Sequence, residues 1–381
     1  MKILITTDLF TTSTNGVVTS VKNLIKELTD KGHDVRVLTL SEGIYSYEEG
    51  MVYYIRSIPV GVYPNVRMPI SYRHTLIKEL IDWKPEIIHS QCEFFTFQYA
   101  MRISRLTGAP IVHTFHTMYE QYVTYVISHE RIGNRIVQIF TRKRLKHVNT
   151  VIAPTAKVEE TLLGYKIKKE ICVVPSGINL EQHHKRISAA QRSEKRRILG
   201  IPENGTVLIS LGRLGMEKNI DELLYFFSDA VKQKKDLYLL IVGDGPARDQ
   251  LEQLTQSLGI ADFVRFTGMV KPEEVQEYYQ LGDVFVSAST SETQGLTYIE
   301  AAANGLSLLC RQDLCLKDVI LQGENGFTYT SEEEFLEGVR LFADNPECLA
   351  AAGKRSEEIT ESFDRKNFGT TVEGIYRSVI N

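Results

Sequence analysis

No stretch of the 381-residue chain approaches about 18 consecutive apolar residues, so nothing in it reads as a helix that spans a bilayer. Its five cysteines, Cys92, Cys172, Cys310, Cys315 and Cys348, are scattered without a Cys-x-x-Cys pair. That spacing argues against a disulfide framework and against a zinc site, and it favours a reducing cytoplasm. Proline and glycine number only 11 and 26, too few for a fibrous or low-complexity chain. The opening MKILITTDLF carries one Lys and a short apolar run with no cleavage site, so a buried first strand is expected there rather than a secretory leader.

What is present is ordinary for a folded protein: 43% hydrophobic and 24% charged residues. At this length a single core stops growing, which predicts two domains. Buried, β-rich runs alternate with helical stretches, the pattern of parallel sheets covered on both faces, and the fold class is therefore α/β. In the first half KILITT, DVRVLTL, EIIHSQ, PIVHTFH and TVIAPT read as strands; in the second VLISLGR, YLLIVGDG, VRFTGMV, VFVSAS and LSLLCR do. Helices such as DELLYFFSDAVKQ fall between them. The boundary is placed near Pro175, giving domains at 1–175 and 176–363, followed by a last helix at 364–381 whose destination periodicity does not reveal.

Residues 1–175 hold 22 Lys and Arg against 16 Asp and Glu, a balance of +6; residues 176–381 hold 22 against 32, a balance of −10. The first half is thus suited to meet something anionic. Nucleic acid is a poor candidate, because the chain as a whole is acidic at −4 and no nucleic-acid-binding motif accompanies its basic stretch.

In open α/β sheets ligands gather beyond the carboxyl ends of the strands. After VLISLGR comes GRLGMEKN (212–219), which places Arg213 and Lys218 beside the start of a helix. Guanidinium, ammonium and free helix amides together suit a diphosphate, although two unrelated surface cations would look the same. After VFVSAS comes SETQGLTYIEAAANG (291–305), with Glu292 in a loop, Gly295 allowing close backbone approach, and a helix expected from Leu296 to Ala303. Glu292 and Glu300 could accept sugar and ribose hydroxyls, or form a solvated pair.

GRLGMEKN, VGDGP (242–246), FTGMV (266–270) and SETQGLTYIEAAANG resemble, in order and spacing, family 4 of the retaining glycosyltransferases. TNGVVTSVKNL (14–24) and HTFHTMYEQY (113–122) extend the resemblance over nearly the whole chain. It implies the GT-B architecture, two Rossmann-like parallel-sheet domains facing across a cleft, with acceptor mainly on the first and nucleotide-sugar on the second. Carried over residue by residue, it implies that Glu300 binds the ribose and that Glu292 lies by the transferred sugar. Arg213 and Lys218 would hold the diphosphate with the amides of Gly295, Leu296 and Thr297 and with Gly16, and Val270 in the FTGMV loop would line the base. His116 matches the family's active-site histidine, whereas His113 reads as structural. Transfer with retention through an oxocarbenium-like transition state follows, assisted by the leaving phosphate. No Asp-x-Asp pair is present to hold a divalent ion, and no metal or other cofactor is required on this reading.

Gln294, where many members have Phe, and the segment CLKDVILQGENGF (315–327) resemble the branch that glucosylates diacylglycerol, with UDP-glucose as the implied donor. A glucosylated lipid, a polyprenyl-linked glycan or a soluble glycan are the alternative acceptors, and a nucleotide-sugar binding protein without activity is the non-enzymatic one. Residues 131–147 contain six Lys or Arg and no acid, interleaved with Ile132, Ile136, Val137, Ile139, Phe140 and Leu145. Such a helix can lie on an anionic membrane, peripheral to its inner face, or simply be a half-buried helix with a solvated basic side. The aromatic and apolar stretches 45–64 and 92–97 could line an acceptor channel or pack the core, and Glu93 could face the acceptor.

Overall fold

A run such as Ile3-Leu4-Ile5 is apolar on both sides of its strand, and it is stable only where both faces of the sheet are covered. The computed structural model, which describes residues 1–10, 15–60, 66–120 and 129–381, meets that demand twice. Thr14, residues 61–64, Gln121 and Tyr122, parts of segments singled out above, lie outside the described residues. The chain divides into one unit of Met1–Gly177 with Arg365–Asn381, and a second of Ile178–Asp364.

The first unit is built on β1 (Lys2–Thr6), β2 (Asp34–Ser41), β3 (Tyr47–Glu49), β4 (Val52–Pro59), β5 (Arg67–Pro69), β6 (Ile87–Ser90), β7 (Ile111–Thr114), β8 (Thr150–Ala153) and β9 (Glu170–Val173). Their order is β3-β4-β2-β1-β6-β7-β8-β9, with β5 also on β4. All pairings are parallel except β3 and β5 on β4, which are antiparallel. Alternate residues go to opposite faces: Leu4, Leu38 and Ile88 join one core, Ile3, Ile5, Val37 and Ile87 the other.

The second unit has six parallel strands: β10 (Thr206–Leu211), β11 (Leu237–Val242), β12 (Val264–Phe266), β13 (Val284–Ser287), β14 (Ser307–Arg311) and β15 (Gly326–Tyr329). Their order is β12-β11-β10-β13-β14-β15. The chain reverses direction across the sheet between β10 and β13, the place where α/β sheets open a crevice for ligands.

The last helix, Arg365–Ile380, belongs to the first unit. Phe368, Val372 and Tyr376 are buried in the same core as Val21, Leu24 and Leu28. Each such side chain contributes about 1.5–3 kcal/mol by leaving water. Arg365 Nε forms an ion pair with Glu27 Oε1 at 2.8 Å, and Tyr376 Oη lies 2.6 Å from His89 Nδ1 on β6. The division between the units falls at Gly177, two residues beyond the Pro175 placement. The reason is packing: a side chain at Gly177 would lie 2.5 Å from the backbone of Arg365, so glycine there lets the returning helix close on the unit.

Candidate functional site

The loops that follow β10, β11 and β12 are tied together by backbone bonds at the carboxyl edge of the second sheet. Gly212 N donates to Val242 O, Leu214 N to Asp244 O, and Gly243 N to Gly268 O, all within 3.1 Å. Gly243 adopts φ +133°, and a Cβ there would sit 1.9 Å from Gly212 O, so two loops approach as closely as backbone allows. The motifs GRLGMEKN, VGDGP and FTGMV are therefore one surface, not three separate features.

Arg213 and Lys218 lie on that surface. A 3-10 turn, Met216–Lys218, precedes the helix Ile220–Gln233, and Asn219 between them adopts a left-handed φ of 50°. Its side chain donates to Ala288 O at 3.1 Å, joining this loop to the one that carries Glu292. Lys218 Nζ forms a short ion pair with Glu292 Oε1, which also accepts from Ser289 Oγ at 3.4 Å. Arg213 Nη2 pairs with Glu217 Oε1 at 2.6 Å. Burial works against the charge of Glu217, but its own backbone amide, Arg213 and Lys218 together hold the carboxyl below its usual range.

Gly295 occupies the N-cap position of the helix Leu296–Ala303 at φ +72°, and it brings no side chain of its own to cap that end. A Cβ at Gly295 would meet the Tyr298 ring at 2.3 Å and Glu292 Cγ at 3.3 Å. Glycine is therefore required by conformation and by space, and the first amides of Leu296 and Thr297 open on the strand edge. Glu300 lies about one turn along this helix. Burial raises its carboxyl from the usual value to about 7, opposed by the Tyr279 hydroxyl, which donates to Oε2 at 2.9 Å. Val270 is half-buried beside the core, while its neighbour Met269 is exposed.

The first unit has its own cluster at the carboxyl ends of β1, β6 and β7. His116 Nε2 lies 2.7 Å from Gln91 Oε1, within hydrogen-bond reach. Burial, with the neighbouring His113 adding to it, lowers His116 to about 3, leaving a neutral imidazole. His113 is buried, with Nε2 at 2.9 Å from Glu93 Oε1, as its reading as structural anticipates. Glu93 does not face outward: it is buried, and its second oxygen takes a short bond from Tyr119 Oη. Asp8 caps the helix Phe95–Thr107, accepting from Thr96 N at 2.7 Å and Phe95 N at 3.2 Å. Gly16 opens the helix Gly16–Asp30, capped by Asn15 Oδ1, which accepts from Val18 N at 2.9 Å. Gly16 and His116 thus belong to the first unit, and the other eight expected site residues to the second. Among the described residues, no group of three or more His, Cys, Asp or Glu side chains is placed to hold a metal ion.

Sequence reasoning passed over Glu217, Asn219, Ser289 and Tyr279. Glu217 and Asn219 stand inside GRLGMEKN and could have been weighed as partners of its cations. Tyr279 gave no signal, because an apolar-helix tyrosine is more often simply core.

The helix Glu130–Leu145 buries Gly133, Val137, Thr141 and Leu145 at a four-residue spacing. Ile132, Ile136 and Ile139 are left exposed beside Arg131, Arg135, Arg142 and Lys143. Arg144 folds inward over the Phe140 ring at 5.0 Å. Among the described residues, no helix is long and apolar enough to cross a membrane.

Residues 14–182 match the model of Glycosyltransferase Family 4, and residues 191–359 that of Glycosyl transferases group 1. An enzyme of Streptococcus pneumoniae named alpha-monoglucosyldiacylglycerol synthase is 34% identical over 100% of this chain and 86% of its own length. One of the same name from Acholeplasma laidlawii is 29% identical over 100% and 98%. Among solved structures, Anabaena HepE in complex with UDP and glucose superposes with a TM-score of 0.78 at 17% identity, covering 99% of this chain and 100% of that one. Sucrose-phosphate synthase from Thermosynechococcus elongatus gives 0.78 at 20% identity, covering 99% and 98%. With two parallel-sheet units that match GT-B structures and a relative 34% identical along the full chain, the protein is a glycosyltransferase and belongs to glycosyltransferase family 4.

Proposed function

We propose that the enzyme moves glucose from UDP-glucose to diacylglycerol at the inner face of the cell membrane, with retention, to give an α-glycolipid. The carboxyl edge of the second unit supports the donor half. Glu300 accepts the ribose hydroxyls, the FTGMV loop with Val270 lines the base, and Glu292 accepts from the glucose hydroxyls. Arg213, Lys218 and the amides of Gly295, Leu296 and Thr297 hold the diphosphate. As the bond from the anomeric carbon to the phosphate oxygen breaks, negative charge collects on the departing UDP. Fixed cations and oriented amides already in place stabilise it without reorganisation. The leaving phosphate oxygen takes the proton of the acceptor hydroxyl, which attacks the same face. His116 is neutral, so on this reading it offers a dipole rather than a charge. The cations and amides supply the charge that a divalent ion would otherwise bring, so the reaction needs no metal on this reading.

The lipid half is carried by one observation: the helix Glu130–Leu145 turns three isoleucines to solvent within a field of cations. Apolar side chains among basic ones suit an anionic leaflet, and a soluble acceptor would demand neither. The two full-length relatives named for diacylglycerol glucosylation support the same acceptor. The test is transfer from UDP-glucose into vesicles with and without diacylglycerol, with product identified by mass spectrometry and anomeric NMR. An α-glucosyl-diacylglycerol formed only in the presence of diacylglycerol supports the proposal. Transfer to a soluble glycan with no response to vesicles would overturn it.

A further inference from the structure

We propose that Tyr279 is a positioning residue of the donor site, whose hydroxyl, donated to Glu300 Oε2 at 2.9 Å, holds that carboxyl aimed for the ribose hydroxyls. The inference rests on the assignment of Glu300 as the ribose ligand and adds the residue through which that ligand is held.

Tyr279 ends the short helix Val275–Tyr279, its ring fully buried and 6.2 Å from that of Phe285. A buried phenol must find a partner, and a backbone carbonyl would serve if packing were its whole purpose. Here the partner is a carboxylate at the ligand edge of the sheet. Among the described residues, no other side chain hydrogen-bonds the Glu300 carboxylate and no cation pairs with it. Glu292, by contrast, has Lys218.

The next residue grips the same glutamate from behind. Gln280 Nε2 donates to Asn304 Oδ1 at 3.1 Å, and Asn304 donates to Glu300 O through its backbone at 3.1 Å and its side chain at 2.9 Å. Tyr279 therefore meets the carboxylate of Glu300 directly, and Gln280 reaches its carbonyl only through Asn304. Other titratable groups on elements packed here meet the far end of the helix. His183 Nδ1 reaches Asn304 at 3.0 Å, and Glu357 with its partner Arg186 lies against Gly305. None touches the Glu300 carboxylate.

Burial alone favours the protonated form of Glu300, and the tyrosine bond is what opposes it, leaving the carboxyl at about 7. A protonated carboxyl accepts ribose hydroxyls poorly, so donor affinity rises with pH and levels off near that value. Without the phenol the levelling point moves higher.

The experiment measures UDP binding by calorimetry, and KM for UDP-glucose, from pH 5.5 to 9 (about the range needed to bracket the titration). Wild type, Tyr279→Phe, Glu300→Gln and the double variant are compared. Tyr279→Phe is expected to raise the donor KM about tenfold with kcat within about twofold, and to move the levelling point up by about one pH unit. In the Glu300→Gln background it adds nothing further. A purely structural role would lower thermal stability and leave the pH profile in place. An unchanged profile and KM in Tyr279→Phe, while Glu300→Gln weakens UDP binding, overturns this inference alone. Undiminished UDP binding by Glu300→Gln removes the ribose assignment beneath it. Should Tyr279→Phe not fold, the wild-type profile decides: an ionisation near 7 that disappears in Glu300→Gln upholds the role, and its absence overturns it.

Discussion

Replacing Ile132, Ile136 and Ile139 together by Gln should release the enzyme from membranes without unfolding it. The three are 56%, 49% and 38% exposed, so the substitutions leave the buried stripe of Val137, Thr141 and Leu145 untouched. Fully burying one isoleucine is worth about 1.5–3 kcal/mol, and the exposed fractions together amount to about one and a half such side chains. The apolar share of membrane binding is then about 2–4 kcal/mol, or roughly 30- to 1000-fold in affinity. Arg131, Arg135 and Lys143 add about 1 kcal/mol each near an anionic leaflet. The two shares separate by salt: the cationic part fades as the screening length shrinks, and the apolar part does not. Sedimentation with vesicles of anionic and of zwitterionic lipid, at low and high salt, reads both. The triple-Gln variant should lose binding at every salt concentration, whereas Arg131→Gln/Arg135→Gln/Lys143→Gln should lose it chiefly at low salt and on anionic lipid. If the isoleucine variant sediments like the wild type and glucosylates vesicle-borne diacylglycerol equally fast, the helix is a half-buried element with a solvated basic side, and the reasoning fails.

Arg213→Ala and Lys218→Ala should each lower kcat about 100- to 1000-fold, as loss of one oriented donor to a developing anion does; turnover within a few fold of wild type would remove both from the diphosphate. Glu300→Gln should mainly weaken UDP binding and Glu292→Gln mainly slow transfer, so calorimetry and single-turnover kinetics should rank the two variants oppositely. Gly295→Ala should cost about 2–5 kcal/mol, because an L side chain is strained at φ +72° and would press on the Tyr298 ring, and a thermal melt within a degree of wild type would contradict the local geometry. Phe368→Ala should destabilise the first unit by about 3–5 kcal/mol, seen as an earlier transition in urea, since its ring seals the returning helix on the core.

The parallel strands were legible because a strand covered on both faces must be apolar on both, and Ile3-Leu4-Ile5 or Leu239-Leu240-Ile241 has no other stable setting in water. The outer strands were not. Val52–Pro59 carries Tyr53, Tyr54, Arg56 and Ser57, a composition equally suited to a channel lining. What makes it a strand is pairing with Asp34–Ser41, a long-range fact absent from its own residues. The last helix could be drawn to within a residue, yet its destination depends on Phe368, Val372 and Tyr376 matching a groove formed by residues 340 positions earlier in the chain (about that separation, and such contacts leave no local periodicity). At the candidate site, motif order singled out the cations and glutamates that the structure brings to one sheet edge. Their partners escaped because Glu217 reads as a helix-start acid and Tyr279 as core, and only folding distinguishes a buried phenol that packs from one that donates to a carboxylate.

The pairing of those cations bears on how two glutamates eight positions apart can do different work. Arg213 is held by Glu217 within its own loop, and Lys218 by Glu292 from another. On the proposed donor assignment, a diphosphate entering here exchanges partners rather than meeting bare charge. A partly exposed ion pair is worth at most about 1 kcal/mol, and a charge-assisted bond to phosphate is stronger, so the exchange is favourable. When Lys218 turns to phosphate, the oxygen of Glu292 it had occupied becomes available to a sugar hydroxyl. Recognition of the sugar is in this way coupled to capture of the diphosphate. Among the described residues Glu300 has no cation to release and meets Tyr279 instead, so on the proposed assignment its work is confined to holding the nucleoside. The same carboxylate chemistry thus divides between binding and transfer according to which neighbour each glutamate has: a mobile cation for Glu292, a buried phenol for Glu300.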